Sequence, residues 1–267
     1  MGKISFTLPD FVIIGANKAG TTSLANYLTQ HPEIRISTVK EPMFFSSEPS
    51  RISAGLKDAT LAAPYFSLTL REYSDQFEPH TDEIKWFGEA STSYLANPRF
   101  SSILLKKIVP DVKIVAMLRE PTARAISAYK MCYGNGIEKR TFEETLVTLD
   151  MQSKINDHHG VREYVRNSLY GQLLMPYINT FEHANLLFLK YDDFLKNPHG
   201  ELEKILQFIG VTSYTFDTDT WHNTESDHVT TPIEILESSK DKLHKFFQSD
   251  IQITQSITNL DLSNWLD

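Results

Sequence analysis

Phe11-Val12-Ile13-Ile14-Gly15-Ala16-Asn17-Lys18-Ala19-Gly20-Thr21-Thr22-Ser23 is the stretch from which the fold is read. Its first four residues are apolar without alternation and rich in β-branched side chains, the mark of a strand buried on both faces. A loop bounded by Gly15 and Gly20 follows, and then an amphipathic segment from Thr22 to Gln30 that sets Leu24, Tyr27 and Leu28 on one face. Strand, glycine-bounded loop and helix N-terminus together form an anion cradle, because backbone N–H groups converge there and the helix dipole adds positive potential. The Gly15-x4-Gly20 spacing is that of a nucleotide P-loop, with Thr22 at its Ser/Thr position. Thr21, however, stands where that loop carries its lysine, and Lys18 comes three residues earlier. Read as isolated glycines, Gly15 and Gly20 are turn formers beside a surface lysine; the contiguous Lys18-x-Gly20-Thr21-Thr22-Ser23 argues for a built site.

Working outward, short apolar runs of strand length recur at Ile34–Ser37, Trp86–Glu89, Lys113–Leu118 and Leu186–Lys190. Between them lie helical patterns: Phe100, Ile103, Leu104 and Ile108, and later Leu202, Ile205, Leu206 and Ile209. Apolar strands alternating with helices predict an α/β fold, a single P-loop-type domain over residues 1–267 with a mostly parallel sheet and helices on both faces. Ligands of such sheets sit at the carboxyl ends of the strands. Two stretches break the rhythm, within 40–82 and 138–166, and are expected to be acceptor-binding insertions. Asp192-Asp193 is expected to be a helix N-cap pair, and His158-His159 is too sparse for a metal site.

The 267 residues are 41% hydrophobic, 22% charged and 11% aromatic, which excludes a disordered, collagenous or coiled-coil chain. Twenty-six Lys and Arg against 34 Asp and Glu leave a net charge of −8, with no basic run. Nucleic acid and anionic membrane are therefore not expected partners, and anion binding must come from a local pocket. The lone Cys132 excludes an internal disulfide and a cysteine-based zinc site, and suits a reducing compartment. The apolar run Phe11–Ile14 is too short for a signal sequence or membrane span, so a soluble cytoplasmic protein is expected.

A second motif follows the Lys113–Leu118 run: Arg119-Glu120-Pro121-Thr122-Ala123-Arg124-Ala125-Ile126-Ser127-Ala128-Tyr129. Pro121 suits the first turn of a helix. Arg124 and Ser127 then lie at i and i+3, where both can meet one ligand, and Arg119 at the strand end can join Ser127 on a phosphate. The alternative is an Arg119–Glu120 surface pair with a structural Arg124. A kinase or ATPase would need an acidic strand end for Mg²⁺; this strand ends in Arg119, and Glu89 is a weak substitute. No metal is expected.

The two motifs, in this order, resemble sulfotransferases that use 3′-phosphoadenosine 5′-phosphosulfate. His31-Pro32, Lys40-Glu41-Pro42-Met43-Phe44-Phe45, Gly88-Glu89-Ala90-Ser91-Thr92-Ser93-Tyr94-Leu95, Ser168-Leu169-Tyr170, Tyr191-Asp192-Asp193-Phe194 and Asp261-Leu262-Ser263-Asn264-Trp265 look like landmarks of its bacterial and heparan-type branch. The resemblance implies that Lys18, Ala19, Gly20, Thr21, Thr22 and Ser23 bind the 5′-phosphosulfate, and that Arg119 and Ser127 bind the 3′-phosphate. It implies Lys18 at the bridging oxygen and Glu41 as general base, with Glu89 second and His222 and His228 behind them. Glycosaminoglycan relatives commonly carry histidine where Met43 stands and lysine where Ala90 stands. They also have a Lys-Gly-Arg loop, in whose region this chain has Trp221-His222-Asn223-Thr224. Those missing cations and the acidic net charge favour a small neutral or cationic metabolite, sulfated on a hydroxyl or nitrogen. The alternatives are a carbohydrate or glycan acceptor, a P-loop kinase, or a non-catalytic nucleotide-binding module.

Overall fold

The computed structural model describes residues 6–46, 68–79, 81–146, 164–219 and 233–267. His158, His159, Trp221, His222 and His228 lie outside the described residues, as does most of both expected insertions.

Five strands form one sheet: β1 Phe11–Gly15, β2 Ile34–Ile36, β3 Trp86–Ala90, β4 Lys113–Leu118 and β5 Leu186–Lys190. All pair in parallel, in the order β2-β3-β1-β4-β5. β2 stops one residue short of its expected end, although the Ser37 N–H still donates to the Gly88 carbonyl at 2.9 Å. The chain leaves β1 toward β2 on one side and leaves β4 toward β5 on the other. The crevice beyond the ends of β1 and β4 is thus the topological switch point, where open α/β sheets bind ligands.

Helices cover both faces, which is why β1 and β4 read as unbroken apolar runs. Phe11, Ile13, Val115 and Met117 pack under α1 (Thr21–Leu28), α8 (Tyr191–Lys196) and α9 (Pro198–Ile209). Val12, Ile14, Ile114, Ala116 and Leu118 point the other way, toward α4 (Pro98–Ile108), α5 (Pro121–Gly134), α7 (Tyr170–Ile178) and α10 (Glu237–Thr258). Shorter helices, α2 (Leu70–Ser74), α3 (Ser93–Ala96) and α6 (Phe142–Leu146), fill the edges. Among the described residues no helix is long and apolar enough to cross a membrane.

Two local readings are corrected. In α4, Leu104 and Leu105 are buried together with Ser101 and Ser102, while Phe100 and Ile103 stay exposed. Small serines admit close helix packing, and a count of apolar spacing cannot see that. Asp192 and Asp193 lie inside the first turn of α8, whose N-cap is Lys190; Asp192 Oδ2 accepts from the Trp265 indole at 3.3 Å.

Gly88 sits opposite Phe11 across the β1–β3 ladder, and a Cβ there would lie 2.2 Å from Phe11 Cζ. The aromatic ring occupies the space a side chain would need. Gly88→Ala is expected to destabilise by about 1–3 kcal/mol through overpacking, lowering the thermal midpoint by several degrees. Phe11→Leu in the same chain should recover part of that loss, since residues in contact couple. Additive melting shifts of the two changes would refute the account.

Candidate active site

The loop between β1 and α1 takes its shape from left-handed backbone at Lys18 and Gly20. Gly20 is the N-cap of α1 in the left-handed conformation (φ 79), and no side chain caps the helix start. A Cβ on Gly20 would come within 2.9 Å of Tyr191 Cε2, so only glycine fits between the loop and that ring. Lys18 is also left-handed (φ 67), a conformation that costs a non-glycine residue about 1 kcal/mol and persists only where its surroundings hold it. They do hold it: Ala16 N–H donates to Met117 O at 2.7 Å, Ala19 N–H to Ala16 O at 3.2 Å, and Arg119 Nη1 to Lys18 O at 3.1 Å.

That last bond joins the two motifs. Arg119 leaves the end of β4 with its guanidinium 5.1 Å over the Tyr191 ring, and its carbonyl accepts from the Tyr170 hydroxyl at 2.9 Å. Glu120 is not its surface partner; it caps α5, accepting from the Thr122 and Ala123 amides at 2.8 and 2.6 Å. Ser127 is 3% exposed and its Oγ has no hydrogen-bond partner among the described residues, nor has Thr122 Oγ1 in the first turn of the same helix. A buried hydroxyl without a partner is costly unless a ligand supplies one. A phosphate oxygen is an acceptor of that kind.

Arg124 behaves differently from the sequence expectation. It is 1% exposed, with Nε on Ser168 Oγ and Nη2 on the Tyr164 carbonyl, both at 2.6 Å. It ties α5 to residues 164–168 and does not share a ligand face with Ser127. The sequence marks Tyr191, the tyrosine under Arg119, only as the head of the Tyr191-Asp192-Asp193-Phe194 landmark.

A cleft of about 400 Å³ opens on the other side of the cradle, between α1 (Thr22, Asn26, Thr29) and the segment after β2 (Ser37, Thr38, Lys40, Glu41). Glu41 is left-handed (φ 53) and half-buried, and its carboxylate accepts from the Thr92 hydroxyl at 3.1 and 3.2 Å. Burial lifts its pKa above the ordinary value, against the lowering effect of that hydrogen bond. Phe44 and Phe45 are core residues: Phe44 stacks on Tyr73 at 4.5 Å, and Phe45 meets Tyr94 edge-on at 5.8 Å.

Glu89 lies in the middle of this core with no exposed surface, so it cannot touch an acceptor. It accepts from the Tyr73 and Tyr94 hydroxyls at 2.6 Å each and from Ser91 at 2.8 Å. Burial nonetheless outweighs these bonds and pushes its pKa from 4.5 up to about 7. Between those values the folded protein binds a proton that the unfolded chain has released. The Glu89 contribution to stability therefore falls as pH rises from about 4.5 to about 7, and is level above. Denaturant midpoints of wild type and Glu89→Gln, compared near pH 5 and pH 8, should show the wild type losing ground to the variant at the higher pH. An unchanged difference would mean the carboxyl is not shifted.

A profile of the sulfotransferase family matches residues 9–215 of this chain. Heparan sulfate glucosamine 3-O-sulfotransferase 3A1 of Mus musculus is 24% identical over 216 residues, covering 81% of this chain and 49% of that protein. Carbohydrate sulfotransferase 15 of Mus musculus is 24% identical over 246 residues, covering 76% of this chain and 44% of the other. The chain thus spans about half the length of the curated relatives it matches. Among solved structures, a sulfotransferase from Alicyclobacillus acidocaldarius is similar at a TM-score of 0.78 and 27% identity, over 98% of this chain and 100% of that one. The matched stretch takes in both the Lys18 loop and the Arg119–Tyr129 segment, and on that match the chain belongs to the sulfotransferase family.

Proposed function

We propose that the protein transfers a sulfuryl group from 3′-phosphoadenosine 5′-phosphosulfate to a hydroxyl of a small, neutral, carbohydrate-like acceptor. The observation that carries this reading is the Arg119–Lys18 hydrogen bond, which braces two anion-binding segments against each other. A donor with phosphate at both ends of its nucleoside needs two such segments. Arg119 and the Ser127 hydroxyl hold the 3′-phosphate; Lys18, Ala19, Gly20, Thr21, Thr22 and Ser23 hold the 5′-phosphosulfate. The donor supplies an activated sulfuryl group, and its transfer leaves charge on a phosphate oxygen. Lys18 and the backbone of the α1 first turn meet that charge. Glu41 takes the acceptor proton, its raised pKa bringing it closer to the pH at which a general base works best.

The acceptor reading rests on the cleft beside Glu41. Thr22, Asn26, Ser37 and Thr38 give it hydroxyl and amide groups, which pair with a polyol, and Lys40 is the cation among its lining residues. The similar relatives, one a heparan sulfate glucosamine 3-O-sulfotransferase and one a carbohydrate sulfotransferase, favour the carbohydrate alternative. Met43 and Ala90 in place of family cations, with a net charge of −8, argue against a polyanionic polymer.

Calorimetry should find 3′,5′-adenosine bisphosphate bound about 10- to 150-fold more tightly than 5′-AMP, the worth of a charge-assisted contact. Arg119→Ala should erase most of that preference, and equal affinities in the wild type would refute the assignment. Against a panel of neutral mono- and disaccharides read by mass spectrometry, Glu41→Gln should lower turnover by about 10²–10⁴-fold while donor affinity holds. Near-normal turnover in that variant would move the base elsewhere.

A further inference from the structure

Two residues of the loop that follows β2, Glu41 (φ 53) and Met43 (φ 55), sit in the left-handed region, so the loop does not hold its shape by local preference. Its backbone is held instead by the turn after β3. The Met43 N–H donates to Ser91 Oγ at 3.0 Å, and the Phe45 N–H donates to the Tyr94 hydroxyl oxygen at 3.3 Å. Each of these hydroxyls has one proton. Each commits it to the Glu89 carboxylate, at 2.8 Å from Ser91 and 2.6 Å from Tyr94. That commitment turns the oxygen lone pairs toward the loop amides and makes both hydroxyls acceptors for them. Tyr73, the third donor to Glu89, stacks its ring on Phe44 of the same loop. One buried carboxylate therefore fixes the sense of every one of these bonds.

We infer that Glu89 is a positioning residue for the reaction: without touching substrate, it orients Ser91 and Tyr94 so that their hydroxyls hold the Glu41 loop in its working conformation. The inference rests on the reading of Glu41 as the base. It adds an element which that reading lacks, a cause for the left-handed backbone at Glu41. An amide in place of Glu89 keeps one oxygen for the Tyr73 and Tyr94 hydroxyls but turns a donor toward Ser91, whose proton is then free to seek another acceptor, and the Met43 amide loses its partner.

The test uses three variants of the full chain. At pH 8, where the Glu89 carboxyl is ionised, Glu89→Gln keeps the shape and exchanges the oxygen that accepts from Ser91 for an amide donor. Ser91→Ala removes the link to Met43 and leaves Glu89 in place, which covers the case of a poorly folding Glu89→Gln. Ser91→Thr retains the hydroxyl and serves as the rescue. Amide hydrogen exchange at Met43 and Phe45 is read by NMR, and affinity for 3′,5′-adenosine bisphosphate by calorimetry. Donor consumption is read with water and methyl glucoside as probe acceptors. In Glu89→Gln the amide of Met43 should exchange up to about tenfold faster, the worth of a lost hydrogen bond, while Phe45 stays held by Tyr94. Ser91→Ala should do the same at Met43. Donor consumption should fall by a similar factor in both, nucleotide affinity should stay within about twofold, and Ser91→Thr should restore exchange and consumption together. Unchanged exchange in the folded variants overturns the inference. So does faster exchange at wild-type consumption, or a loss of nucleotide affinity that parallels the loss of turnover. Glu41→Gln run alongside separates the two readings: wild-type consumption in that variant faults the base, whereas the exchange at Met43 still reports on Glu89.

Discussion

Val12 to Gly15 lie beside Ile114 to Ala116 in a parallel ladder, so the chain leaves both strands at the same end of the sheet. The loop carrying Lys18 consequently emerges next to the turn carrying Arg119, and a single guanidinium can reach the Lys18 carbonyl at 3.1 Å. An antiparallel pairing would send the two segments to opposite ends, some 15–20 Å apart for strands of this length. The register then decides the details. Tyr191, at the end of the next strand over, comes to lie both under Arg119 and against Gly20, so one ring limits the shape of both anion-binding segments.

Hydrogen-bond accounting separates the polar residues that build the molecule from those that face a ligand. Arg124 is a buried cation that donates from Nε to Ser168 and from Nη2 to the Tyr164 carbonyl, and Asp250 is a buried carboxylate that accepts from the Gly171 and Gln172 amides. Both are satisfied inside the protein, as buried charges must be. Asp250 thereby caps the start of α7 from a neighbouring helix. Ser127 is as buried as these and its hydroxyl has no hydrogen-bond partner among the described residues. The same logic sets Glu41, half-buried and open to the cleft, apart from Glu89, enclosed by three hydroxyls.

The site is also divided by charge. Arg119 meets the Lys18 loop beyond the ends of β4 and β1, whereas the cleft on the β2 side has Lys40 and Glu41 as its charged lining residues. In a protein of net charge −8, the Arg119 and Lys18 cations are local to one crevice. The neutral cleft beside it leaves the carboxylate of Glu41 without an arginine or a second lysine among the lining residues.

The amino-acid sequence by itself determined the positions of the central strands β1 and β4, because each is an apolar run bounded by turn or helix signals and burial on both faces leaves no alternation to misread. It also determined the Gly15–Gly20 loop, a contiguous motif whose geometry is set by residues within a few positions of one another. Strand order, the division of labour between Arg119 and Arg124, the enclosure of Glu89, and the seating of Tyr191 against Gly20 were decided by the tertiary structure. In each case the deciding partner is far away in the chain: Ser168 for Arg124, Tyr73 for Glu89, Tyr191 for Gly20. Local periodicity encodes whether a side chain is buried. Which polar group it meets once buried depends on contacts that exist only after distant elements have packed.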